Sequence, residues 1–261
     1  MDTKSVQNMI NSSGDIELLV QQILNIGNAM YRAGAEINRI EETLYRLGKA
    51  YGAEHVNVYA ITSSIVVTMA FEGYPAVTHS RRIHRDSTDL TRLEEFNDLS
   101  YGCARELLPV AELEKRVAQI IGKKPSPWGI FAGELLAAAG FAVFFGGTLW
   151  DAAASAAGAC LIFLMQTYLR PLCSGQFFFN IVASFVTGMA ICAANRGLPM
   201  LHSGQIIIGD IMVLIPGIAI TNSIRYIISG DSISSVEKLI DSLLQGIGIA
   251  VGFAVAMWIW A

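Results

Sequence analysis

From Trp128 to Trp260 the chain is a succession of apolar stretches about 20 residues long, and this limits its fold more than any other feature. Twenty helical residues rise about 30 Å, the thickness of a bilayer's hydrocarbon core. In that core each backbone N–H and C=O has to find a partner within protein, so such runs fold as helices. Five spans are expected, at about 128–147, 149–168, 177–195, 205–229 and 236–260. The expected fold class is therefore an integral membrane protein, mainly α, with five transmembrane helices preceded by a cytosolic α+β domain carrying a small antiparallel sheet.

The placement of charge draws the same boundary. Residues 1–125 hold 14 of the 18 Lys and Arg and 16 of the 22 Asp and Glu. Two domains are expected, 1–125 cytosolic and 126–261 transmembrane, joined by Lys123-Lys124-Pro125-Ser126-Pro127. Two lysines just before a span belong on the cytosolic side. Met1 to Asp15 is polar and has no apolar signal core, so the N-terminus is expected to stay in the cytosol. The near balance of charge in the first half argues against a nucleic-acid partner. Cys103, Cys160, Cys173 and Cys192 are scattered without paired spacing and read as small buried hydrophobes; no metal and no cofactor are expected.

Helical periodicity covers residues 15–33, with Asp15 as N-cap and Gly34 as the stop. It resumes at 35–51, where Glu36 with Arg39 and Glu42 with Arg46 are helix-spaced charge pairs. The period then falls to two. Val56, Val58 and Ala60 alternate with Asn57, Tyr59 and Ile61, and Ile65–Ala70 and Ala76–Ile83 are two further β-rich runs. Thr62-Ser63-Ser64 and Glu72-Gly73-Tyr74-Pro75 supply turns. A meander packed on two helices is expected, followed by helices at 90–107 and 110–121. Ser63 in the first turn is a candidate ligand group, although turn chemistry explains it equally. The cluster His79-Ser80-Arg81-Arg82-Ile83-His84-Arg85 offers a phosphate or carboxylate clamp, a catalytic histidine pair or a membrane-surface patch. The plainer reading is a solvated edge strand whose charges discourage aggregation. No nucleophile elbow and no phosphate-binding glycine loop is present.

Ionisable groups inside spans are costly and usually functional. Glu134 and Asp210 each lie about two turns into an apolar run, Asn180 lies inside the third, and Asp151 begins the second as an interfacial cap or a buried group. A carboxylate at such depth that takes up a proton suits proton coupling. The fourth run carries Pro216-Gly217 where a helix should continue, then Thr221, Asn222, Arg225 and Gly230-Asp231. Proline removes a backbone donor, and a broken apolar helix followed by polar groups is the pattern of a transport site. The alternative is a plain proline kink. Ala152–Ala159 and the series Gly246, Gly248, Gly252 are small-residue faces that allow close helix packing.

The run Pro216-Gly217-x-x-x-Thr221-Asn222-x-Ile224-Arg225, followed by Gly230-Asp231, resembles the signature of the threonine/serine exporter family. A second block, Gly34-Ala35-Glu36-Ile37-Asn38-Arg39-Ile40-Glu41-Glu42 with Ile61-Thr62-Ser63-Ser64-Ile65, resembles its cytosolic half. The two blocks sit near both ends of the chain. One position departs: the family usually has an acidic residue after the arginine, and here it is Tyr226. The resemblance implies a non-enzymatic, ion-gradient-driven exporter of threonine, serine or dicarboxylates such as succinate. It also implies a multi-pass protein of the bacterial inner membrane. Five spans match the N-terminal half of the fused form, which implies a second, smaller membrane subunit; a homo-oligomer is also compatible. Two rival readings remain open. One is a membrane-anchored enzyme using His55, His79 and His84, the other a sensor whose soluble domain binds a ligand.

Overall fold

The computed structural model of the chain describes residues 13–83, 89–123, 125–230 and 232–260. Two compact units meet in sequence between residues 124 and 125.

In the first unit, α1 (Ser13–Arg32) buries Ile16, Leu19, Val20, Ile23, Leu24 and Met30 at helical spacing. Asp15 lies within its first turn rather than at its cap. The chain turns at Gly34, whose φ of 99° is open to glycine at little cost. Helix α2 (Ile37–Ala50) follows, with Ile37, Ile40, Leu44 and Leu47 inward. Three strands, β1 (His55–Ile61), β2 (Ser64–Ala70) and β3 (Val77–Arg82), form an antiparallel meander in the order 1-2-3. Ile61 pairs with Ser64, so the first turn is Thr62-Ser63 and Ser64 belongs to β2. Ile65, Val67 and Met69 of β2 are fully buried on the helix-covered face. Asp89 caps α3 (Leu90–Arg105) by accepting from the Arg92 amide at 3.0 Å. Helix α4 (Val110–Gly122) closes the unit. Tyr51 is fully buried and donates to the Leu108 carbonyl at 2.9 Å; burial pushes its phenol pKa up.

Two charge assignments change. Arg46 donates to Ser100 Oγ at 3.0 Å and lies over the Tyr101 ring at 4.1 Å, so it ties α2 to α3 rather than serving Glu42. β3 is an edge strand, but His79 and Arg81 stand opposite Val67 and Ile65, on the face the helices cover. Both are half-buried, where a solvated strand was expected.

The second unit is all helix. Ser126 caps α5 (Pro127–Phe144), with Pro127 in the first turn, where a missing N–H costs nothing. The tight link to α6 (Leu149–Tyr168) passes through Gly146 at φ 89°. After a 3₁₀ turn (Arg170–Leu172) come α7 (Gln176–Gly197), α8 (Ser203–Leu214), α9 (Gly217–Ser229) and α10 (Ser232–Trp260). Helices α5, α6, α7 and α10 are long and apolar enough to cross a bilayer. The fourth apolar run is divided between α8 and α9, which are bent by 59°. Large apolar side chains point away from this unit, with Trp128 76 %, Leu149 83 % and Trp258 80 % exposed.

Small residues set its helix contacts. A Cβ at Gly252 would come within 2.5 Å of the Ile181 carbonyl, and one at Gly248 within 3.0 Å of the Phe177 carbonyl. Gly188 likewise meets Ala256 and Phe253. Gly246 has open space around it and takes no part. Residue numbers rise together along these contacts, so α7 and α10 run parallel. Helices α6 and α8 are parallel too, because Asp151 meets His202 and Ser155 meets Asp210.

Candidate functional site

A buried polar cluster lies where α8 passes α6 and α5. Asp210, in the third turn of α8, is fully buried. Its Oδ1 accepts from the Ser155 hydroxyl of α6 at 2.9 Å. Its Oδ2 has no hydrogen-bond partner among the described residues. Two glycines make the room. A Cβ on Gly158 would overlap Asp210 Oδ2, and one on Gly209 would overlap Ser155 Oγ and sit 2.6 Å from the Ala138 carbonyl of α5. The cradle is thus built from residues whose absent side chains admit polar atoms.

One turn along α6 from Ser155 is Asp151, also fully buried. It accepts from Thr148 N at 2.7 Å and Thr148 Oγ1 at 2.8 Å, completing a capping box. It also accepts from His202 N at 2.7 Å, and its Oδ2 lies 2.9 Å from His202 Nδ1. It is a cap, but a buried one that ties the first turn of α6 to the N-cap of α8. The His202 side chain is 56 % exposed.

Glu134 is half-buried on α5, one turn before Ala138, and hydrogen-bonds with Gln166 of α6. Asn180 of α7 is fully buried; it accepts from Gln176 at 2.9 Å and donates to the Gln245 carbonyl of α10 at 3.4 Å. Ser184 and Thr187 follow on the same stripe, fully buried, their hydroxyls without partners among the described residues.

The break in the fourth run is an inverse γ-turn. Pro216 has φ −79° and ψ 59°, and the Gly217 amide donates to the Ile215 carbonyl at 2.9 Å. Beyond it Thr221 is exposed and donates to the Gly217 carbonyl at 3.0 Å, while Arg225 is exposed one turn on. Asn222 and Tyr226 are buried on the other face of α9, which packs against α10. Asp231 and His84 lie outside the described residues.

The candidates of the first unit fall at three places. Glu36 is the N-cap residue of α2, with Arg39 exposed in the first turn. Ser63 is exposed in the β1–β2 turn. On β3, Arg81 donates to Asn25 of α1, and His79 Nε2 is buried with no partner among the described residues. A separate groove of about 710 Å³ between α3 and α4 is lined by Glu95, Asp98, Glu106, Glu112, Arg116 and Lys123. Among the described residues no three of His, Cys, Asp and Glu gather as a metal site.

Sequence reasoning singled out Asp210 and Glu134 but not Ser155, Gly158 or His202. The available signal for Ser155 was its i+4 spacing from Asp151 inside an alanine-rich run. His202 sits in a link 51 residues from its partner and gave none.

No solved structure matches the chain. A protein of Mycobacterium tuberculosis named "Probable threonine/serine exporter" is 23 % identical over 94 % of this chain, which spans only 48 % of that relative's length. The "Probable succinate transporter subunit YjjP" of Escherichia coli is 23 % identical over 91 % of this chain and 93 % of its own. Its namesake in Klebsiella aerogenes is 24 % identical over 87 % and 88 %. Residues 21–260 match the family described as "Putative threonine/serine exporter", and the chain therefore belongs to the threonine/serine exporter family.

Proposed function

We propose that this chain is a transport subunit that exports small polar metabolites, threonine- or serine-type amino acids or dicarboxylates such as succinate, driven by an ion gradient. The observation that carries the reading is the buried Asp210–Ser155 pair beside a helix broken at Pro216. A membrane anchor has no use for an intramembrane carboxylate or a divided span. Relatives named as an amino-acid exporter and as succinate transporter subunits support the substrate classes. Glu134, Asn180, Thr221, Asn222 and Arg225 are assigned to the same pathway, with Arg225 as the group for a substrate carboxylate.

The protein crosses the bacterial plasma membrane five times, with residues 1–125 in the cytosol. Helix direction supports the count. If α8 and α9 entered and left by one face, α10 would run antiparallel to α7; the two are parallel, as one net crossing between them requires. Lys123 just before α5 supports the orientation. The functional unit includes a second, smaller membrane subunit, as the word "subunit" in the names of two relatives of similar length suggests.

Cells preloaded with labelled threonine, serine or succinate test this. Efflux is expected only when the chain and its partner subunit are both present, and is lost with a proton uncoupler. No efflux of any of the three from correctly inserted protein overturns the proposal.

A further inference from the structure

The stripe on α6 that holds Asp151 and Ser155 lies between an exposed imidazole and a carboxylate with an empty acceptor. His202 is 56 % exposed at the start of α8, and its Nδ1 lies 2.9 Å from Asp151 Oδ2. Asp151 and Ser155 are one turn apart on one face, about 6 Å between Cβ atoms, a gap that a bridging water would have to close for a proton to pass. Ser155 then donates to Asp210 Oδ1 at 2.9 Å, while Oδ2 faces the space above Gly158. All three inner groups are fully buried.

The charged surroundings favour a proton over a metal cation. An ionised Asp210 would be a buried carboxylate facing no counter-charge. Neighbouring α5 contributes only Glu134, which turns to Gln166. Helix α6 contributes Asp151, whose carboxylate is held by Thr148 and His202. On α7 the only charge is Arg196, which lies over the Trp260 ring. Arg225 is on the exposed face of α9, and Glu237, Lys238 and Asp241 are near the start of α10. With Ser155 as its partner among the described residues, the pocket offers far fewer than the six or more oxygens a hard metal cation takes.

We propose that His202, Asp151 and Ser155 form a proton relay that loads Asp210 from the aqueous face at the His202 end, making Asp210 the binding site of the coupling ion. The proposal rests on the transport reading, in which that face is the outer one. His202 takes a proton from water at Nε2 and gives its Nδ1 proton to Asp151. Asp151 passes one through the bridging water to Ser155 Oγ, and Ser155 releases its own hydroxyl proton to Asp210. One proton has then moved from bulk to Asp210 and each relay group keeps its starting charge. His202 is left as the Nε2–H tautomer and the Ser155 hydroxyl is turned away from Asp210, so a flip of the imidazole and a rotation of the hydroxyl reset the relay. Asp210 is the binding group; the other three are positioning and transfer residues.

Infrared spectroscopy on the full chain in lipid nanodiscs after a pH jump tests this without needing transport or the partner subunit. A carboxylic-acid carbonyl band is expected that vanishes in Asp210→Asn and shifts in frequency in Asp210→Glu. His202→Gln is expected to slow the band's appearance on the order of tenfold with its final amplitude unchanged. A band absent from the unaltered chain, or unmoved by both Asp210 variants, overturns the site; wild-type kinetics in His202→Gln overturn the relay. Efflux without the band leaves the exporter standing and removes the proton site. The band without efflux does the reverse.

Discussion

Both units put glycines inside helices, but they are used differently. In the first unit an added methyl would meet side chains: at Gly27 the flexible end of Leu44, Cδ1 at 2.7 Å, and at Gly48 Met69 Cε and the stiffer Val56 Cγ2, both at 2.8 Å. In the second it would meet backbone carbonyls, Ala138 O at 2.6 Å from Gly209 and Ile181 O at 2.5 Å from Gly252. The first unit is an ordinary core, where large side chains fill space and can give a little. In the second, helices touch nearly backbone to backbone, because lipid provides no hydrophobic drive between them and close packing has to replace it. Close packing also lets polar atoms lie directly over a neighbouring helix, as Asp210 does over Gly158.

The sharpest break of this comparison is Gly209→Ala. Its methyl has a carbonyl and Ser155 in its way, so efflux is expected to be abolished and stability to fall by about 3 kcal/mol, read by thermal unfolding in lipid. Gly252→Ala should cost about 2–3 kcal/mol by the same mechanism, with hydrogen exchange rising along α7 and α10. A buried hydrogen bond in the first unit gives the next effect. Tyr51→Phe leaves the Leu108 carbonyl without its donor and should cost about 1–2 kcal/mol with efflux retained. Gly27→Ala should cost about 1 kcal/mol, since the end of Leu44 can swing aside. Gly246→Ala, with nothing within 4 Å, should change stability by less than about 0.5 kcal/mol. Should Gly27→Ala prove as damaging as Gly252→Ala, the distinction between yielding and unyielding neighbours fails.

The same contrast explains what could be read from sequence. Periodicity disclosed α1, α2 and the meander because their buried faces are made of large residues at fixed spacing, such as Ile16 to Met30 or Ile65, Val67 and Met69. Length and apolarity disclosed the span-length helices, and Pro216 disclosed the break. What stayed hidden depends on which surfaces meet. Ala152–Ala159 reads as a packing stripe, and nothing in it shows that Ser155 finds a carboxylate 55 residues away. Arg46 has an acidic neighbour at helix spacing, yet Ser100 and Tyr101 of another helix hold it. His79 and Arg81 alternate with Ser80 and Arg82, but alternation alone does not say which face the helices cover.

The turn at Pro216 has a mechanical consequence. On one side α8 is seated in the cradle of α5 and α6 through Gly209 and Asp210; on the other, α9 lies along α10. Two segments of one apolar run therefore belong to different groups of helices, and at Pro216 a single short hydrogen-bonded turn connects them. If the α5–α6 pair tilts against α7 and α10, the run cannot follow both as a rigid rod. The strain collects at this fulcrum, which makes the angle there a direct gauge of how far the two groups have moved apart.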